Sequence, residues 1–169
     1  MHLIIDGYNL LYAGRLISQM NASELQRERD RLIALLSDYR KRKEGNITVV
    51  FDGWQTGWSS EQKEFKKGVE IVFSPLGERA DDVIKRMVRD KGSGAVVVTS
   101  DRDISRFAER MAVAVIPSEQ FLGRLDVSAK GDEKDVEPED DEERSLKRKG
   151  PSRRLSKKEK RLRNALKKL

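Results

Sequence analysis

The sequence predicts a three-layer α/β/α sandwich around a mainly parallel sheet. Short runs of β-branched and aliphatic residues alternate with stretches of helical periodicity, which is typical of βαβ units whose strands are buried on both faces. Three of these runs end at or just before an aspartate, namely Asp6, Asp52 and Asp101. The carboxyl ends of parallel strands meet at one edge of a sheet, where such folds bind ligands, so we expect the three carboxylates there.

The first half of the chain supplies three strands and one long helix. Ser23 and Gln26 have the spacing of a capping box, and leucines recur after them at helical intervals. Gly45 ends this helical pattern. The predicted elements of this half are a helix at 23–43, strands at 3–5, 47–51 and 69–73, and a loop at 53–60.

The second half repeats the alternation in shorter steps. Pro75 and Gly77 break the chain after the third strand, and Gly92 and Gly94 separate the next helix from the fourth strand. The predicted elements are helices at 80–91, 104–111 and 118–125 and strands at 96–98 and 113–116. Residues 1–126 are therefore predicted to form one folded domain.

Residues 127–169 form a charged tail. The chain has 35 basic and 29 acidic residues, a net charge of +6, but 130–143 carry a net charge of −7 and 144–169 a net charge of +12. Because aliphatic residues are scarce, we expect the tail to be disordered, with its acidic part acting as a spacer or folding back on the basic part. A capping box at Ser156 would let the basic part fold into a helix on contact with RNA or the ribosome. Its thin leucine face makes a membrane a weaker partner.

Composition excludes several classes of site. The chain has no cysteine, so disulfides and thiolate zinc sites are impossible. The single histidine, His2, is a poor ligand candidate because imidazole sites usually pair histidines. No apolar stretch approaches the ~20 residues of a membrane span, and no secretory signal precedes the first strand. We therefore expect a soluble, cytoplasmic protein in which any metal is held mainly by oxygen.

Four motifs resemble those of the NYN domain in its YacP-like form. They are IDGYNLL at 5–11, FDG at 51–53, ERADD at 78–82 and VTSDRD at 98–103. NYN domains belong to the PIN-like nucleases, so the resemblance implies a metal-dependent endoribonuclease with an acidic pocket. Phosphodiester hydrolysis is consistent with that pocket, because Mg²⁺ or Mn²⁺ prefers carboxylate and water oxygens and can generate hydroxide near neutral pH.

The resemblance assigns a catalytic set of four residues. Asp6, Asp81 and Asp101 would be the metal ligands. Asn9 would orient Asp6 or a metal-bound water, although a helix cap is an equally good interpretation of its position.

Four further residues are candidates for supporting roles. Asp82 would be a cap or lie behind Asp81, because neighbours on a helix point about 100° apart. Asp52 would lie at the rim of the pocket, and Ser100 would donate its hydroxyl to a ligand or phosphate. Asp103 either completes a pair with Asp101 or caps the helix that follows, and the cap is favoured.

RNA contacts are expected from cations and aromatic residues near the acidic motifs and in the tail. Arginines there would bind phosphate, and loop tryptophans would stack on bases, although tryptophans that cover a core edge and solvated arginines are commoner. The candidates are Arg15, Arg79, Arg102, Trp54, Trp58, Arg153, Arg154, Lys157, Lys158 and Arg161.

Other functional classes remain open. A PIN-like protein that binds RNA without cutting it is the main alternative, and an intact set of acids argues against it. A phosphoacceptor receiver would need a lysine after the fifth strand, where the chain has Pro117. A Toprim site would need a glutamate after the first strand, where the chain has Asp6.

Overall fold

The computed structural model describes residues 1–14, 21–53, 59–129 and 156–168. Within these ranges the strands are β1 (His2–Asp6), β2 (Asn46–Phe51), β3 (Gln62–Lys66), β4 (Val69–Phe73), β5 (Ala95–Val98) and β6 (Ala114–Ile116). The helices are α1 (Gly7–Gly14), α2 (Ala22–Arg42), α3 (Ala80–Lys91), α4 (Arg102–Arg110), α5 (Ser118–Ala129) and α6 (Lys157–Lys168). No helix in these ranges has the length and apolarity needed to cross a membrane.

The strands form one sheet in the order β3-β4-β2-β1-β5-β6. All neighbours are parallel except β3 and β4, which pair antiparallel. Helices α1, α2, α5 and α6 cover one face of the sheet, and α3 and α4 cover the other. The predicted three-layer sandwich with a mainly parallel sheet is confirmed, and β1 at its centre lies between the strands that precede Asp52 and Asp101.

Strand β3 was not expected from the sequence. Its segment, Gln62–Lys66, is polar and lies largely exposed at the edge of the sheet, so it has no apolar alternation that would indicate a strand. It pairs with β4 through a tight turn at Lys67 and Gly68, both of which have positive φ.

The cap of the long helix lies two residues before the predicted one. Asn21, not Ser23, is the N-cap of α2. Its side-chain oxygen accepts the backbone N–H of Glu24 at 3.0 Å, and the Glu24 carboxylate accepts the Asn21 N–H at 2.9 Å. The Ser23 hydroxyl instead donates to the Asn21 side chain at 2.7 Å. Asparagine is at least as good an N-cap as serine, which accounts for the shift.

The tail is not disordered over its last described part. Ser156 and Glu159 form the predicted capping box, and α6 follows it. Ala165 is 5% exposed against the core, with Leu162 and Leu166 packed around it. The Arg124 guanidinium donates to the Leu166 carbonyl at 3.2 Å. The prediction failed here because a short apolar face need not make its own core when it can cover an existing one.

Candidate active site

Asp6 is held at the carboxyl end of the central strand. Its side chain is 9% exposed. Oδ1 accepts the backbone N–H of Asn9 at 3.1 Å, and Oδ2 accepts the Thr99 hydroxyl at 3.1 Å. Each carboxylate oxygen therefore accepts one hydrogen bond, one from the nearby helix α1 and one from the segment after β5.

The turn from β1 into α1 depends on Gly7. The helix starts at the residue after Asp6 with no connecting loop. A Cβ at position 7 would overlap the Phe51 ring, so only glycine allows α1 to lie this close to β2. This close approach places the Asn9 N–H against Asp6.

The environment of Asp6 disfavours its charge. The pKa of Asp6 is raised to about 6, mainly by burial and to a smaller extent by the nearby carboxylates of Asp81 and Asp101, against the two hydrogen bonds that lower it. Asp81 and Asp101 therefore each lie close enough to Asp6, at one edge of the sheet, to disfavour its charge.

Thr99 joins two of these aspartates. It is 1% exposed at the end of β5, and its hydroxyl donates to Asp6 while accepting the Asp101 backbone N–H at 3.0 Å. No role was predicted for Thr99 from the sequence. Its place inside the VTSDRD motif was the available signal.

Asp101 is the N-cap of α4. Its Oδ1 accepts the N–H groups of Asp103 at 2.7 Å and Ile104 at 3.0 Å. Capping thus uses one carboxylate oxygen, which leaves Oδ2 for a ligand. Because the helix begins at Arg102, the favoured interpretation of Asp103 as its cap is wrong, and Asp103 lies in the first turn.

The two adjacent acids of α3 differ in exposure. The Asp81 side chain is 23% exposed and its Oδ2 lies 3.9 Å from an Arg79 guanidinium nitrogen, whereas Asp82 is exposed. Asp82 does not cap the helix, because the N-cap residue is Arg79. Of the pair, Asp81 is the one whose charge acts on Asp6.

Asp52 accepts a hydrogen bond from the first residue of α3. Arg79 makes no side-chain capping bond, and the Asp52 carboxylate accepts the Ala80 N–H at 2.7 Å in its place. This bond joins the end of β2 to the turn that carries Asp81. Asp52 is therefore placed to position Asp81 from the rim of the acidic cluster.

Asn9 and Ser100 connect three segments around the cluster. The Asn9 side-chain oxygen accepts the Ser100 N–H and the Ser118 hydroxyl, each at 2.8 Å. The Ser100 hydroxyl donates to Glu119 at 2.6 Å and accepts the Ser118 N–H at 3.1 Å. The hydrogen bond from the Ser100 hydroxyl lowers the pKa of Glu119. The Ser100 hydroxyl is thus engaged within the protein, contrary to its predicted role as a donor to ligand or phosphate.

The carboxylates have the right chemistry for a hard divalent ion, although they do not form a finished cage. In the described ranges, no three histidine, cysteine, aspartate or glutamate side chains are grouped closely enough to hold one ion. Mg²⁺ commonly keeps several waters and uses only one or two carboxylates, so Asp6, Asp81 and Asp101 still fit direct and water-mediated ligation.

The predicted RNA-binding residues are dispersed. Arg79 and Arg102 are exposed beside the acidic cluster. Lys157 and Arg161 are exposed on α6, and Arg161 lies near Met1 and Gly94, at the opposite, amino-terminal edge of the sheet. The residues Arg15, Trp54, Trp58, Arg153 and Arg154 lie outside the described part of the chain, as does the side chain of Lys158.

Comparisons with known proteins agree on one family. A family model for the YacP-like NYN domain matches residues 3–168. The uncharacterized protein YacP of Bacillus subtilis (strain 168) is 29% identical over 102 residues, a match that spans 59% of this chain and 59% of that relative.

Two crystal structures share the fold. The structure of a mutant of Rae1 (YacP) from Bacillus subtilis has a TM-score of 0.64 and 21% identity, covering 76% of this chain and 77% of that one. Another structure of Rae1 (YacP) has a TM-score of 0.61 and 23% identity, covering 77% of this chain and 76% of that one. At these identities the likeness concerns the fold alone.

Proposed function

Because this chain belongs to the YacP-like NYN domain family, which has a PIN-like nuclease fold, we propose that it is a metal-dependent endoribonuclease. It hydrolyses RNA phosphodiester bonds with Mg²⁺ or Mn²⁺ bound by Asp6, Asp81 and Asp101. Its RNA is mRNA or RNA associated with the ribosome, and it acts in the cytoplasm.

The observation that carries this proposal is the placement of the Asp81 and Asp101 carboxylates near the buried carboxylate of Asp6. Burial and the charges of Asp81 and Asp101 both raise the pKa of Asp6. If Asp6 had only a structural role, an uncharged side chain would be more stable at this buried position. A cation bound there would instead attract the carboxylates of Asp6, Asp81 and Asp101. The arrangement therefore favours a site built to hold positive charge.

Some residues of the proposed site would bind the metal, and others position them. A divalent ion held by Asp6, Asp81 and Asp101 would supply a nucleophilic hydroxide and neutralise charge on the phosphate. Thr99 fixes the carboxylate plane of Asp6 by its hydrogen bond to Oδ2, and Asn9 holds the segment that carries Asp101. Asp52 holds the first turn of α3.

Cleavage of a labelled single-stranded RNA in Mg²⁺, Mn²⁺ or EDTA tests the proposal. We expect cleavage with either metal, none in EDTA, and loss of at least about a hundredfold in rate for Asp6→Asn or Asp101→Asn. The matched control is Asp90→Asn, which removes an exposed carboxylate from the far end of α3 and should cut normally. Full activity of either site variant would refute the assignment.

A second candidate is an RNA-binding protein that does not cut. The absence of a preformed three-ligand cage among the described residues favours it. Isothermal titration with Mn²⁺ separates the two functions, because a nuclease site should bind the ion and lose it in Asp6→Asn. RNA binding without Mn²⁺ binding and without cleavage would support the silent protein.

A further inference from the structure

A groove of about 770 Å³ separates α3 from α4 on the outer surface of the sandwich. Four basic side chains line it: Lys85 and Arg89 from α3, and Arg106 and Arg110 from α4. Asp103, Glu109 and Phe107 complete the lining. The proposed catalytic chemistry does not use any of the basic residues.

The groove follows both helices in the direction that leads away from the acidic cluster. Asp81, Lys85 and Arg89 follow one another at intervals of four residues and therefore share one face of α3. On α4, Asp103 in the first turn is followed by Phe107 at the same interval. Both helices start at the carboxyl edge of the sheet, so a strand that followed α3 from Asp81 to Arg89 would pass from the carboxylates along the groove over about 12 Å, at 1.5 Å per residue.

The basic residues are available to a ligand. Among the described residues, none of these four makes a salt bridge, whereas Arg86 on the same helix is paired with both Glu61 and Glu78. Two of them are held by an aromatic ring: the guanidinium carbons of Arg89 and Arg110 lie 5.0 Å and 5.9 Å from the Phe107 centroid. Such contacts restrict the guanidinium groups while leaving their N–H donors free.

We propose that this groove binds the backbone of an RNA strand beyond the bond that is cut. The inference rests on the proposed nuclease function. One strand fits better than a duplex, because packed helices lie only about 8–10 Å apart. A stacked strand has a phosphate about every 3.4 Å, so the groove meets roughly three or four phosphates. The four cations, which make no salt bridge among the described residues, match that number.

Binding measured by fluorescence anisotropy tests the groove. The full chain carrying Asp6→Asn, which should prevent cleavage, is titrated into labelled single-stranded RNAs of 4 and 16 nucleotides at several salt concentrations. Adding Lys85→Gln and Arg106→Gln should weaken binding of the longer RNA about tenfold and reduce the slope of log K against log salt by about 1.4, or 0.7 per lost contact. The short RNA should be affected much less.

Two control variants isolate the groove charges. Arg27→Gln with Arg31→Gln removes two exposed cations from α2, on the other side of the sheet, and should leave both affinities unchanged. Lys85→Arg with Arg106→Lys keeps both charges and should bind normally. Thermal melts of each variant exclude a loss of folding.

The outcomes separate this inference from the nuclease assignment. Unchanged binding and salt slope in the Lys85→Gln, Arg106→Gln variant would overturn the groove even if the protein cuts RNA. The expected losses in a protein that proves unable to cut would support the groove and refute the nuclease. If a duplex RNA titrated in the same way loses as much affinity as the longer single strand, the single-strand part of the proposal is overturned. Equal losses in the Lys85→Arg, Arg106→Lys variant would overturn the role of charge in the groove.

Discussion

The hydroxyl of Ser118 donates a 2.8 Å hydrogen bond to the side chain of Asn9, 109 positions earlier in the chain. The same Asn9 oxygen accepts the Ser100 N–H. One amide thereby ties the first helix both to the start of α5 and to the segment that carries Asp101. Asn9 is a positioning residue in this arrangement, which explains how an uncharged side chain can matter in an acidic site.

Replacing Asn9 with alanine should lower both stability and activity. The variant leaves the fully buried Ser118 hydroxyl and the Ser100 N–H without their acceptor, at a cost of about 1–3 kcal/mol in unfolding free energy. Urea denaturation measures the unfolding free energy. The rate of RNA cleavage should fall as well, because the segment that carries Asp101 loses its hydrogen bond to Asn9. In Asn9→Ala with Ser118→Ala, the two losses should be less than additive, because the unsatisfied hydroxyl is gone. Simple additivity would contradict the coupling.

Replacing Thr99 with valine should raise the pKa of Asp6 above its value of about 6. The Thr99 hydroxyl bond favours the ionised carboxylate, and valine has the same shape without the donor. A ¹³C NMR titration of the Asp6 carboxyl measures the change, and the affinity for Mn²⁺ at pH 6.5 should fall with it. Thr99→Ser retains the hydroxyl and is the control. A pKa that stays in place in Thr99→Val would show that the hydrogen bond contributes little.

Asp6→Asn should stabilise the metal-free fold at neutral pH while it abolishes cleavage. The pKa of Asp6 rises from 3.8 to about 6 on folding, so the native state keeps a proton that the unfolded chain has lost. Unfolding free energy therefore falls as pH rises from about 4 to about 6, by up to about 3 kcal/mol in total.

Asparagine does not titrate, so the variant should be more stable than the wild type above pH 6 and nearly equal to it below pH 4. Denaturation in EDTA across this range measures the difference. A constant difference at all pH values would contradict the raised pKa of Asp6.

Asp52 should affect catalysis through α3. Asp52→Ala removes the acceptor of the Ala80 N–H, at a cost of about 1 kcal/mol, and loosens the turn that carries Asp81. We expect cleavage to slow roughly tenfold through misplacement of Asp81. Asp52→Asn keeps an acceptor oxygen and should retain most of the activity. If Asp52→Asn is as inactive as Asp6→Asn, the charge of Asp52 takes part directly.

The sequence predicted the fold and the placement of the aspartates at one edge of the sheet, but it did not predict the hydrogen bonds that hold these side chains. Parallel order alone brings Asp6 and Asp101 to one edge, because β1 and β5 are neighbours. Nothing in the sequence indicated that Thr99 would bond to Asp6 across 93 positions, since such bonds depend on side-chain orientation at the loop. The polar β3 went unpredicted for a related reason, because an exposed edge strand needs no apolar pattern.

The packing of α6 against the core has a consequence for protein synthesis. Every strand of the sheet leaves the ribosome before α6 does, and domains generally fold from the N-terminus as they are made. Until α6 emerges, the apolar surface that Leu162, Ala165 and Leu166 cover stays open on the nascent chain. A chain that stopped before residue 156 would keep this surface exposed, and chaperones and proteases would be expected to recognise it.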